Sequence, residues 1–366
     1  MILWKRGIVQ RGEFARFALE QVRRGQRSWS FSFKILREIE ERYSPADEPL
    51  LENLYLSLRS GTHITKMTRR GRFTEFDEKI VTAARSAFPH LHQELVVHDM
   101  GASNAITSLE LFQRFAQERN IRVIASDIFH QLKLVTLPNR RWTVAFNTLS
   151  QPIQTTGLGM VMGTRPFPWH QALSRFVQMW VRSSVIPAAQ HILEQGPCDS
   201  IEPVSLFHPE AVAQSRSDSR FQLTHYDIFH SPPVPCDIIR GLNLILPGFF
   251  TREQTQTAIC RNAEILREGG WMILGRSIEE EDGRIRATVY QRSDGKLIPL
   301  FHHHEGFENP ELVSELTLPG PASVDPACPP DADDPEGGSG TNRAPQFCNT
   351  APPEHVSSST EVTHGS

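Results

Sequence analysis

The sequence predicts an α/β protein built on a doubly wound, mostly parallel sheet. Three observations carry that prediction. Short apolar runs alternate with amphipathic stretches from about residue 92 to 306, and a glycine turn, Asp99-Met100-Gly101-Ala102-Ser103, joins the first such run to a helical pattern. A long segment of hairpin and helix character then interrupts the alternation. Short apolar strands between amphipathic helices argue for a parallel sheet covered on both faces.

Residues 1 to about 90 read as helices. EFARFALEQVRR and FSFKILREIEERY place apolar residues at helical spacings, and SPADEPLLENLYLSLRSG offers a Ser/Asp/Pro start and a Gly stop. Residues 1–37 carry nine Lys or Arg against two acids, so this end is either a solvated basic face or a surface for an acidic partner. Residues 91–316 form the expected α/β domain, with strands in ELVVHDM, IRVIASD, FQLTHYD, CDIIRGLNLI and WMILGRS, and helices after the first, second and fourth. A connection this long between the second and third strands is expected to be an ordered insertion, at about 140–220. It holds a hairpin (RRWTVAFNTLSQPIQTTGLGMVMG) and an amphipathic helix with Trp169, Leu173, Phe176, Val177 and Trp180 on one face. That face is expected to pack on the core, with a lid over a pocket as the alternative. GRIRATVYQRSDGKLIPLFHHHEG, with its SDG turn, reads as an antiparallel hairpin. From 317 to 366 Pro, Gly, Ser, Thr and acids dominate, and disorder is expected because little apolar surface offsets the ordering entropy.

Composition excludes several classes. With 366 residues, 39% hydrophobic and 22% charged, the chain can bury a sizeable core. A net charge of −4 gives no electrostatic footprint for nucleic acid, and no apolar run approaches a bilayer span. The opening MILWKRGIVQ is interrupted by charge too early for a signal peptide, so a cytoplasmic location is expected. The five cysteines are never spaced as CxxC, which argues against a disulfide framework or a zinc knuckle. His302, His303 and His304 are adjacent, and neighbours on a strand point to opposite faces, so no metal site is expected there.

The glycine turn is the informative motif. Gly101 lets backbone approach a ligand, and Asn104 tolerates left-handed geometry. A pyrophosphate would want more glycine, so an NAD-type site is disfavoured. Asp127 stands 28 residues after Asp99, at the tip of the next strand, where a carboxylate can accept hydrogen bonds from both ribose hydroxyls. Asp227 in THYDIF follows a third apolar run and either reaches the amine of an adenine or forms a turn.

In this order the residues resemble the class I S-adenosylmethionine-dependent methyltransferases. Asp99-x-Gly101, with Ser103 following, looks like the methionine end of that site; Asp127 matches the ribose acid, Asp227 the adenine acid, and ILREGGWMILG the approach to the fifth strand. The resemblance implies a Rossmann-like sheet with a C-terminal antiparallel hairpin, and S-adenosylmethionine as cofactor. Within the family, CDIIRGLNLILPGFFTREQTQTAICRNAEILREGGWMILGRS is similar to the chemotaxis-receptor glutamate methyltransferases. Asn243 there matches the Asn of their Cys-Arg-Asn motif, with Gly241 and Leu242 in place of the Cys and Arg. The implied reaction is in-line methyl transfer to a small-molecule or protein side-chain acceptor. On the acceptor side stand Asn243 and Arg240, the latter to hold an acidic group or to serve as a structural ion pair. The alternative is an inactive methyltransferase-like binding or scaffold module, favoured by the non-glycine residues Ser103, Asn104 and Ala105 and by Leu242.

Overall fold

The computed structural model describes residues 7–318 except 9, 25–28, 59–65, 67, 91–92, 118, 140, 164–171, 231–233, 246–249 and 279–283. The chain divides into the units Met1–Ala322 and Ser323–Ser366, and the second lies wholly outside the described residues, with most of the expected tail.

At the N-terminus two short strands, β1 (Gly7–Ile8) and β2 (Ser30–Phe31), pair in parallel beside α1 (Glu13–Arg23), α2 (Lys34–Glu41) and α3 (Glu48–Ser57). The predicted helical spacing is explained by what it buries: Ala15, Ala18, Leu19, Ile35, Leu36, Ile39, Leu50 and Leu54 form one core. A fourth helix, α4 (Thr74–Ala87), belongs instead to the α/β core, which it joins through Phe76, Ile80 and Ala84. Five of the nine basic residues at this end form ion pairs within the described residues. Arg11 and Arg16 pair with Asp47, Arg23 with Glu52, Arg24 with Glu20, and Arg37 with Glu41 and Glu202.

From β3 (Leu95–Met100) the chain passes through α5 (Ile106–Ala116) to β4 (Ile121–Asp127), and then leaves the sheet. The insertion is an antiparallel sheet of β5 (Gln131–Thr136), β6 (Trp142–Phe146), β7 (Pro152–Gly157), β8 (Met160–Gly163) and β9 (Ile201–Ser205), in the order β8-β7-β6-β5-β9. The expected hairpin is thus the centre of a larger sheet that starts at Gln131 rather than near 140. Leu132, Leu134, Ala145 and Val204 join the N-terminal helices in a common core, so the two segments support each other. Between β8 and β9 run α6 (Ala172–Trp180), a π-helical turn at Val181–Val185, and α7 (Ile186–Glu194). The expected packing face is only partly realised. Of that face Val177 packs, half-buried, against the cluster that holds Val181, Val185 and Ala189, whereas Phe176 is 65% and Trp180 44% exposed; Trp169 lies outside the described residues.

The α/β core resumes with α8 (Pro209–Ser217), β10 (Phe221–His225), β11 (Cys236–Leu242), α9 (Arg252–Ala263), β12 (Leu266–Ile278), β13 (Arg284–Ser293), β14 (Lys296–His303) and α10 (Pro310–Ser314). Its seven strands lie in the order β10-β4-β3-β11-β12-β13-β14, parallel through β12 and antiparallel beyond it. This is a Rossmann-like doubly wound sheet. Alternate residues serve opposite faces: Leu95, Val97, Val123 and Ile273 pack with α4, α5 and α8, while Val96, Met100, Ile239 and Met272 pack with α9 and α10. All six residues of β3 are buried, the apolar Leu95, Val96 and Val97 together with the polar His98 and Asp99. The order reverses between β3 and β11, and ligands of open α/β sheets bind outside the carboxyl ends of strands at such a reversal. Among the described residues no helix is long and apolar enough to cross a membrane.

Candidate functional site

The turn leaving β3 is left-handed at every second residue: φ is 63° at Gly101, 59° at Ser103 and 62° at Ala105. Only glycine takes that conformation freely, and a side chain in it costs about 1–2 kcal/mol per residue. The sequence therefore carries one glycine where the backbone asks for three. Neighbouring elements hold the strain. Ala102 donates its N–H to the Ser126 carbonyl at 2.9 Å, and Ser103 donates its N–H to Asp127 Oδ2 at 2.8 Å. Asn104 accepts from the Ile106 N–H with its side-chain oxygen and donates its amide to the Thr68 carbonyl, and its own carbonyl takes the His208 N–H at 2.7 Å. Such strain persists where the surroundings overdetermine it, which is typical of ligand-binding turns.

Asp127 ends β4 directly beside this turn. Its Oδ1 accepts the Phe129 N–H at 2.7 Å and lies 3.3 Å from Lys66 Nζ, which also donates to the Ser103 carbonyl at 2.8 Å. Lys66 is 8% exposed, and burial pushes its pKa down against the pull of Asp127. The hydroxyl of Ser103 is buried and has no hydrogen-bond partner among the described residues. Among the described residues, the turn thus holds a surplus polar group and a carboxylate whose Oδ2 accepts one hydrogen bond. Those are the features a ribose or amino-acid tail would engage. Over Gly101, a Cβ would meet Leu244 Cδ1 at 2.8 Å, so that face of the turn is covered by the chain's own side chain.

The Asp99 and Arg240 side chains are buried and bonded to each other. Arg240 lies opposite Asp99 in register across β3 and β11 and is 1% exposed. Its Nε and Nη2 donate to the two Asp99 oxygens at 2.9 and 2.6 Å, and its Nη1 donates to Asp77 Oδ1 at 2.7 Å. Ser108 adds its hydroxyl to Asp99. Burial opposes the charge on Arg240, but the two carboxylates outweigh it and hold the guanidinium ionised. Of the two roles the sequence left open, the ion pair is the one built here: it ties α4 to the strands at the reversal point.

Asp227 closes a turn after β10, its Oδ1 accepting the Phe229 N–H at 3.0 Å, and it is only partly buried. Asn243, at φ 58°, follows β11; its side-chain oxygen accepts from the Ser277 N–H at 2.8 Å and the Ser277 hydroxyl at 3.1 Å. Two histidines, His130 and His225, stand at the same rim with ring centres 4.9 Å apart, and burial lowers the pKa of His130. Beneath it, His98 bonds Ser126 Oγ at 2.8 Å, and burial brings its pKa to about 4, so it is neutral. No group of His, Cys, Asp or Glu among the described residues is placed to hold a metal.

No family model matches this chain, and no curated protein matches it by sequence. Solved structures do show similarity. One is a pericyclic reaction enzyme, at 9% identity and TM-score 0.24 over 53% of this chain and 30% of that one. The chain therefore spans less than a third of that enzyme. Another is an amino pentose methyltransferase from Micromonospora echinaspora with S-adenosylmethionine bound, at 13% identity and TM-score 0.27 over 67% of this chain and 70% of that one. A third is an O-methyltransferase from neocarzinostatin biosynthesis, at 10% identity and TM-score 0.23 over 56% and 40%.

Sequence reasoning passed over Lys66, Leu244 and Asp77. Nothing local marks Lys66 within THITKMTRR, because its partner lies 61 residues away. For Asp77 one signal existed: an acid at a position of α4 that the helical spacing assigns to the buried face.

Proposed function

We propose that this protein binds S-adenosylmethionine at the carboxyl ends of β3 and β4 and transfers its methyl group by in-line displacement. The observation that carries this reading is the Gly101–Ala105 turn, left-handed at alternate residues and tied by the Ser103 N–H to the carboxylate of Asp127. Asp127 would accept the ribose hydroxyls, the Gly101–Ser103 backbone and the Ser103 hydroxyl would meet the methionine end, and Asp227 would face the adenine edge. When bound, the cofactor supplies an activated methyl whose leaving group is a neutral thioether. The protein's task is then alignment and exclusion of water rather than acid catalysis. The roles suggested for Asn243 at the acceptor and the kinship with chemotaxis-receptor methyltransferases belong to this proposal, and the acceptor class is a small molecule or a protein side chain.

A second reading, a methyltransferase-like binding module without turnover, is favoured by one observation: the chain's own Lys66 and Leu244 lie against the turn that a cofactor would occupy. Calorimetric titration with S-adenosylmethionine and S-adenosylhomocysteine, with NAD as control, tests the proposal. Micromolar binding of the first two is expected, weakened in Asp127→Ala by on the order of 1.5–3 kcal/mol. Unchanged affinity in a folded Asp127→Ala protein would sink the ribose role, and NAD binding without S-adenosylhomocysteine binding would sink the cofactor.

A further inference from the structure

The stretch from Thr68 to Arg72, with Lys66 ahead of it, crosses the candidate site. The Thr68 carbonyl accepts from Asn104 in the turn, the Gly71 N–H donates to Glu110 on α5, and Arg72 Nη2 donates to Ser277 Oγ on β12. These anchors hold the stretch across the ends of the central strands. They deliver Lys66 Nζ to the Ser103 carbonyl at 2.8 Å and to Asp127 Oδ1 at 3.3 Å.

We propose that Lys66 is an internal occupant of the cofactor site, its ammonium filling the carbonyl and carboxylate cage that a bound nucleoside needs, so that ligand entry requires its expulsion. This inference rests on the cofactor reading above and specifies how that site is regulated. The geometry supplies the argument. Asp127 and the Ser103 carbonyl are acceptors, and Lys66 is the charged donor that reaches both, beside the Phe129 and Ser103 N–H groups that also donate to Asp127. A ligand that brings hydroxyl or ammonium donors replaces Lys66 without stranding a buried carboxylate. The apparent affinity is reduced by the fraction of molecules in which the lysine has left. Lysine suits that task, since a long flexible stem lets the head swing to solvent while the backbone anchors at Thr68, Gly71 and Arg72 stay in place.

The test uses the full chain. S-adenosylhomocysteine is titrated into the wild type, Lys66→Met and Lys66→Gln, each first shown to melt cooperatively. Lys66→Met should bind at least roughly tenfold more tightly than the wild type, and Lys66→Gln, which keeps a donor for the Ser103 carbonyl, should fall between them. In parallel, acylation of Lys66 by an amine-reactive reagent, read by peptide mass spectrometry, should be slow alone and accelerate when S-adenosylhomocysteine is added. Equal or weaker binding by folded variants, with Lys66 labelling unmoved by a ligand that the wild type binds, overturns the occlusion and leaves the cofactor reading standing. Absence of binding in all three folded proteins removes the cofactor reading and this inference with it. If Lys66→Met does not fold, Lys66→Gln and the labelling experiment carry the same decision.

Discussion

Arg240 and Asp99 face each other across neighbouring strands, and Arg240 donates two hydrogen bonds to the carboxylate, at 2.9 and 2.6 Å, while the third arm of the guanidinium reaches Asp77 on α4. All three residues are at most 4% exposed. Arg240 thus pairs with two buried carboxylates, and it fixes the helix that precedes the sheet to the strands that frame the candidate site. Removing one partner of a buried pair costs far more than the pair contributes, because the remaining charge is stranded. Arg240→Met should therefore destabilise the protein by about 3–5 kcal/mol, measured by denaturant unfolding. A loss under about 1 kcal/mol would show that water reaches the cluster.

Asp77 gives the same cluster a pH dependence. Its Oδ2 is buried without a partner among the described residues, and burial, only partly offset by Arg240, raises its pKa to about 6. The folded protein therefore holds this proton more tightly than the unfolded chain, in which an aspartate titrates near 4. The contribution is fully present below about pH 4 and is lost as the pH rises through about 6, a change of roughly 3 kcal/mol. Asp77→Asn should remove that slope from the stability profile, seen as the difference between the two proteins' unfolding midpoints from pH 4 to 7. A constant difference across that range would assign the titration to another group.

The strained turn predicts stabilising substitutions. Ser103→Gly and Ala105→Gly remove the left-handed penalty, offset in part by the greater chain entropy that glycine loses on folding, for a net gain of about 0.5–1 kcal/mol each. Gly101→Ala should act in the opposite sense, since its Cβ would stand 2.8 Å from Leu244 Cδ1 in a residue already at φ 63°. Thermal unfolding of the three variants checks the pattern. Melting below the wild type for both glycine variants would mean that the turn is not strained in solution.

These residues also show why some features were legible in the sequence and others were not. The strands Ile121–Asp127 and Leu95–Met100 were readable because both faces are buried, which forces continuous apolar runs. Asp127 was readable as a strand-tip carboxylate. The outer strands of the insertion were not. Ile201–Ser205 carries a Glu and a Pro and buries only Val204, so neither apolar alternation nor β-propensity marks it. The turn concealed its geometry for another reason: serine and alanine occupy positions whose backbone conformation is the one glycine prefers, so the residue types do not report the φ angles. Lys66 and Asp77 act through partners 61 and 163 residues away, and no local pattern reports a contact at that separation.

Asn243 offers the last separation of structure from chemistry. It sits at φ 58°, receives two hydrogen bonds from Ser277 on its side-chain oxygen, and donates its own N–H to the Gly275 carbonyl at 2.9 Å. The oxygen thus clasps the end of β11 to β12, whereas any contact with an acceptor would fall to the amide NH2. Asn243→Ala leaves the Ser277 donors unmatched and should cost about 1–3 kcal/mol. Asn243→Asp keeps an acceptor oxygen in the same place and replaces the NH2, so its stability should stay close to that of the wild type. Thermal unfolding of the pair measures the clasp, and wild-type stability in Asn243→Ala would show that the clasp contributes nothing. Methyl transfer by Asn243→Asp then reads the amide alone: full turnover confines Asn243 to the strand clasp, and its loss in a protein of unchanged stability assigns the NH2 to the acceptor.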